Sequence, residues 1–342
     1  FPLNERGRAL GAVGAFVSLG AIAGPGIGGL ILSNFSWSYI FWINVPVGLV
    51  TILIGEKFLP KDITKTKEKI DFSGFACIAI AIMTFFGGIF LGQESGFGSL
   101  QSYLLFIIAV VALGLFIMVE RKRKSPLIKF AIFKNKIFTL SLLSAVLIFA
   151  SNFFVNVVIP FYLQDARKLS ASYAGLLMMV FPLLMVVGAP LSGYLTDKIG
   201  PGILTFGGLL LLCCTSLMYM FLDMNSPIWY YVIATAIMGL GNALFQSPNN
   251  TMVMSSVEKQ DLGVAGSMNS FARNLGMVIG IALSTTILYR GMSEAYGERV
   301  TTYLANRPDI FIVGMRETFF VAFLLCVAAF ILTILRFRKT TK

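Results

Sequence analysis

The chain has 342 residues, of which 57% are hydrophobic and 13% charged, about half the roughly 25% charged content of a soluble domain, so an ordinary soluble protein is excluded. It holds no histidine, which excludes His-dependent triads, HExxH metal sites and imidazole proton relays. The formal charge of +11 takes its meaning from where the basic residues sit.

In chain order the apolar residues form blocks of the length one membrane crossing needs, about 20 residues. They cover 9–32, 38–55, 72–93, 101–119, 137–163, 172–195, 202–222, 227–251, 264–290 and 317–335. Backbone groups in hydrocarbon must be satisfied within their own segment, so these are helices; a membrane barrel would show alternating stretches of about 10 residues. The expected fold class is an all-α polytopic membrane protein with ten transmembrane helices. The chain opens on a polar stretch with no apolar h-region, so no signal peptide is expected and the start reads as a cut. Cys77, Cys213, Cys214 and Cys326 lie in apolar blocks without CxxC spacing. They read as small core residues, with no disulfide framework and no metal.

Cytoplasmic loops collect Lys and Arg. With residue 1 inside, the inner connections and ends hold twenty Lys and Arg, against six on the outer side and Arg273 within a helix. Both ends are then cytoplasmic, and the charge is a topology signal, not a nucleic-acid surface. Two charged inner stretches, 56–71 and 120–136, bracket the third and fourth helices. The expected organisation is residues 1–55 as the last two helices of a first lobe and 56–136 as cytoplasmic linkers with an inserted helix pair. Residues 137–342 then form a six-helix lobe with a basic tail. Residues 125–128 either lie along the membrane surface as a short amphipathic piece or form a solvated linker.

Sliding the chain by 252 residues places the first helix on the ninth. Leu10, Gly11, Gly14, Ser18, Gly24, Ile27 and Gly28 then meet Leu262, Gly263, Gly266, Ser270, Gly276, Ile279 and Gly280. Parallel repeats recur in secondary transporters. The ninth helix is the fifth of six, so the first should be the fifth of an earlier six, and four helices are expected before Phe1. Gly20, Gly24 and Gly28 are four residues apart and stack on one face, where a neighbouring backbone can approach closely. Pro25 removes a hydrogen bond and bends the helix there. This face is expected to be the interface with the six-helix lobe.

The pattern Gly11, Gly20, Gly24, Pro25, Gly28 and Gly29 resembles the antiporter signature of the fifth helix in drug:proton antiporters of the major facilitator superfamily. WSYIFWINVPVG at 37–48 is similar to the segment that opens the sixth helix in the 14-helix branch, with Ser38 and Tyr39 where Arg-Trp is commoner. GYLTDKIGP at 193–201 resembles the second copy of the family's short cytoplasmic loop motif through Gly193, Leu195, Asp197, Lys198 and Gly200. Pro201 departs from the basic residue expected there.

The resemblance implies a proton-coupled exporter of hydrophobic or cationic drugs, working by alternating access between two lobes. It implies a monomeric multi-pass protein of the plasma membrane whose partners are a small-molecule substrate, protons and the lipid bilayer, with no cofactor and no enzymatic activity. The branch inserts a helix pair between its lobes, and four missing helices plus ten make fourteen. A nutrient, peptide or metabolite carrier on the same fold is the alternative. A membrane-embedded enzyme or channel would need a clustered nucleophile, acid pair, metal set or ring of charge, and the sequence displays none.

Polar groups at mid-depth are the site candidates. Arg273 stands roughly 15 to 18 Å into its helix, with Asn269 one turn away; Asn or backbone carbonyl groups are its expected partners. Asn242 with Gln246, and Asn152 with Asn156, each follow i, i+4 spacing. These residues either line a translocation cavity or tie helices together. No acid is expected to be buried, since Asp71, Asp165, Asp197, Asp223 and Glu317 stand at helix ends. The proton-binding carboxylate is expected in the helices before Phe1.

Overall fold

The computed structural model describes residues 5, 8–17, 19–20, 31, 35–58, 71–95, 99–123, 128, 130–304 and 307–340. Among the described residues there is no strand, and nine helices are long and apolar enough to cross a membrane. The shorter helix α1, Arg8–Val17, begins the first expected crossing, of which 21–30 lie outside the described residues. The nine are α2 (Tyr39–Phe58), α3 (Phe72–Ser95), α4 (Leu100–Lys122), α5 (Lys136–Phe161), α6 (Tyr173–Ile199), α7 (Pro201–Met220), α8 (Ile228–Ser255), α9 (Leu262–Tyr296) and α10 (Pro308–Thr340). The protein is thus an all-α polytopic membrane protein.

α10 starts nine residues before the expected 317. Arg316 and Glu317 interrupt the apolar run, yet both are exposed on the helix surface and need no break in it. Pro308 opens the helix, where its fixed φ is already helical and its missing N–H costs nothing.

Helices α5 to α10 form one bundle, with α5 against α9 and α10, and α8 against α6 and α7. Glycines set these contacts, because in lipid helix association rests on close packing rather than on hydrophobic burial. A Cβ at Gly276 or Gly280 of α9 would overlap the Val146 or Ala150 carbonyl oxygen of α5. One at Gly208 of α7 would stand 2.7 Å from the Gly241 carbonyl oxygen of α8. Phe154, Tyr219, Leu209, Phe245 and Phe319 fill the main core. A second, smaller core of Phe138, Leu142, Val253, Ala265 and Ala272 lies where α5 and α9 begin and α8 ends, here called the basic end. At the opposite end the Tyr162 hydroxyl donates to the Asp223 carbonyl at 2.7 Å, and Arg167 donates to the Ser226 carbonyl at 2.5 Å. The Ser226 hydroxyl and the Asn225 N–H hold the Asp223 carboxyl below its ordinary range.

Helices α3 and α4 pack chiefly on one another. Gly74, Ala81 and Gly88 on one, and Ser102, Ala109 and Phe116 on the other, are buried at seven-residue spacing, the seam of a left-handed antiparallel pair. α2 buries no residue at all.

Candidate functional site

The loop motif makes a one-residue corner. Gly200, between α6 and α7, has φ +86°, a conformation that a side chain disfavours. Pro201, the departure from the family pattern, opens α7 in the position where proline is favoured. The corner sets Asp197, in the last turn of α6, against the start of α1. Its Oδ2 accepts from the Arg8 backbone N–H at 2.9 Å. A carboxylate there satisfies one of the orphan N–H groups and meets the positive end of the helix dipole. Lys198 turns aside, with its Nζ 4.5 Å from the centre of the Tyr194 ring.

One turn deeper the two backbones touch. A Cβ at Gly11 would stand 2.6 Å from the Ala189 carbonyl oxygen and 3.2 Å from the Gly193 Cα, and one at Gly14 would stand 3.2 Å from the Ala189 Cβ. Among the described residues nothing lies within 4 Å of the missing Cβ of Gly20, so this described contact with the six-helix lobe sits nearer the start of the helix than Gly20. Gly24, Pro25, Gly28 and Gly29 lie outside the described residues.

Behind this seam is a cavity of about 40 Å³, bordered among others by Leu10, Val17, Met185, Gln246, Asn250 and Arg273. It has room for a few water molecules and is far below the roughly 300 Å³ of a drug-sized site. Arg273 is half-buried, and its guanidinium lies 5.9 Å from the centre of the Phe149 ring. This differs from the amide or carbonyl partners expected from the sequence. Asn269, one turn away, donates to the Asn250 side chain at 2.9 Å, and an aromatic face offers the cation a partner.

Asn152 and Asn242 are a closed pair inside the bundle. Each amide donates to the other, at 2.6 and 3.0 Å, and Asn242 also donates to the Met238 carbonyl. The adjoining void of about 10 Å³ holds one water at most. Asn156, exposed, donates to the Asn152 carbonyl at 3.2 Å. Of the six polar candidates, then, Gln246 and Arg273 border the cavity and Asn269 supports its wall. Asn152 and Asn242 tie α5 to α8.

Three buried charges went unforeseen. Arg336, counted with the basic tail, is 3% exposed and donates to the Ser141 hydroxyl at 2.8 Å and the Asn249 side-chain amide oxygen at 3.2 Å. Asp71 and Glu120 are 6% and 2% exposed, which corrects the expectation that no acid is buried. Both stand at the basic end of the helix pair. Asp71 caps α3, accepting from the Ser73 hydroxyl at 2.5 Å and the Gly74 N–H at 2.9 Å. These bonds hold its carboxyl below the ordinary range. Helical spacing carries the missing signal: Arg336 continues the buried stripe of Ala322, Cys326, Ala329 and Thr333, and Glu120 that of Ala109, Ala112 and Phe116. No group of three or more metal-ligating side chains occurs among the described residues.

Over residues 1–281, and again over 141–342, the chain matches the Major Facilitator Superfamily. It is 31% identical to the riboflavin transporter RibZ of Clostridioides difficile across its whole length, covering 73% of that protein. The lincomycin resistance protein LmrB of Listeria monocytogenes is 27% identical over 92% of the chain and 69% of its own length. The multidrug resistance protein Stp of Mycobacterium tuberculosis is 26% identical over 85% of the chain and 54% of its own length.

Proposed function

The chain belongs to the Major Facilitator Superfamily and is a membrane transporter rather than an enzyme, and from that premise we propose that it exports hydrophobic or cationic small molecules in exchange for protons. It works by alternating access, as a monomer of the 14-helix branch in the plasma membrane, with its basic end in the cytoplasm. The seam between α1 and α6 carries this reading. It is held by bare backbone at Gly11 and Gly193 and by one carboxylate on a helix start. A helix cap of this kind is worth about 0.5 to 2 kcal/mol, and Asp197, at the basic end, is rehydrated when the seam parts. Such a contact closes firmly enough to exclude substrate yet opens within the few kcal/mol that separate two working states. Opening exposes Gln246, Asn250 and Arg273 to the cytoplasm; closing seals them from it. Among the described residues no acid borders this cavity.

The antiporter-like glycine pattern and the two resistance proteins support export of drugs. The riboflavin transporter, similar over the whole chain, supports the second reading, a carrier for a metabolite. Everted vesicles separate them. Uptake of a cationic dye that collapses with an uncoupler is the expected result; flux of riboflavin with no dye uptake would replace export by the second reading.

A further inference from the structure

We propose that the helix pair α3–α4 is strapped to the six-helix lobe and travels with it while the seam against α1 opens. The inference rests on the alternating-access reading and adds which parts of the chain move together.

The strap has two pins. At the first, the buried Glu120 in the last turn of α4 accepts from the Ile128 backbone N–H at 3.0 Å. Its other oxygen reaches across to α3, where a Cβ at Gly74 would stand 2.5 Å from it, so glycine is what lets the carboxylate lie between the helices. Arg123 fastens the same end, donating to the Ser73 hydroxyl at 2.8 Å with its Nε 3.4 Å from Asp71. At the second pin, the 3₁₀ segment Phe130–Lys134 places Ile132 and Phe133 on the small core at the basic end of the lobe. The Phe133 and Phe138 rings meet edge to face at 5.5 Å. Thr139 donates to the Phe133 carbonyl at 2.8 Å, and the Asn135 amide donates to the Ser256 carbonyl at 2.6 Å.

One residue separates Ile128 from Phe130. At 3.8 Å per step the chain between them spans less than about 8 Å, so the end of the pair cannot leave the lobe without breaking a pin. Toward α2 the connection is longer. The twelve residues 59–70 reach up to about 40 Å when extended, and α2 buries no residue that would hold it to the pair. When the two sides of the seam separate, the short pinned connection keeps the pair with the six-helix lobe.

Spin labels at Lys122→Cys, Lys57→Cys and Lys259→Cys, in a background without the native cysteines, test this by pulsed EPR distances. On changing pH or adding the transported dye, the 57 to 259 distance is expected to change by about 5 Å or more while 122 to 259 stays fixed. A 122 to 259 distance that changes as much as the other overturns the strap. If neither distance changes, alternating access itself fails, and hydrogen exchange then decides the strap separately. The Ile128 amide is expected to exchange about tenfold faster or more in Glu120→Ala and to stay protected in Glu120→Gln. Unchanged protection in Glu120→Ala overturns the strap.

Discussion

Helices α1 and α9 carry the same glycines 252 residues apart, and the two copies meet their neighbours at different places. In α9 the inner pair, Gly276 and Gly280, lies on the α5 backbone of its own lobe, while among the described residues Gly263 has nothing within 4 Å of its missing Cβ and Gly266 only the tip of Met254 at 3.9 Å. In α1 the outer pair, Gly11 and Gly14, lies on α6 of the other lobe. One sequence pattern therefore holds two surfaces, an inner one that builds a lobe and an outer one that closes a seam. The repeat partners of Gly276 and Gly280 are Gly24 and Gly28, which lie outside the described residues.

The largest effect should come from the inner surface. Gly280→Leu forces a side chain into the α5 backbone, and overpacking of this kind costs about 3 kcal/mol or more where nothing flexible can give way. Folded protein should be lost in a detergent melt, and a variant melting like the wild type would remove the distinction between the two surfaces. Gly11→Leu acts on the outer surface: dye efflux should stop while the melting temperature holds, because the seam contributes little to either lobe's own packing. Smaller again is Asp197→Ala, which removes a cap worth about 1 kcal/mol and so shifts the ratio of open to closed seam about fivefold. Maleimide labelling of Asn250→Cys from the basic end should quicken correspondingly. Least of all, Gly263→Ala should leave stability unchanged or raise it by up to about 1 kcal/mol, alanine being the better helix former. A clear loss there would mean that the outer surface of α9 is already covered.

The helices themselves were legible, because lipid forces uninterrupted apolar segments and the described spans fall on the expected blocks. α10 was shortened in the reading since a hydropathy window stops at Arg316 and Glu317, although exposed charges near a helix end can reach water by snorkelling. The corner at Gly200 and the role of Asp197 were marked by their motif, but their partner was not, since nothing in 193–201 says that Arg8 lies opposite. Arg336, Asp71 and Glu120 were missed for a shared reason. Each stands near a helix end, where a charge reads as solvated; the helical spacing of buried neighbours shows that Arg336 and Glu120 turn inward, while Asp71 is buried as the cap of α3. The division among Asn152, Asn242, Gln246 and Arg273 was illegible because i, i+4 spacing fixes a face of one helix and leaves open which helix it meets.

If the seam is the part that opens, a reversible lock across it stops transport. A Cβ at Gly14 would lie 3.2 Å from the Ala189 Cβ, near the separation of about 3.5 to 4.5 Å that a disulfide spans. Gly14→Cys with Ala189→Cys, free of the native cysteines, should cross-link on oxidation. Dye efflux by the oxidised protein should stop and return on reduction. Efflux that continues with the cross-link intact would show that substrate crosses while the seam is shut, and the seam would then not be the gate.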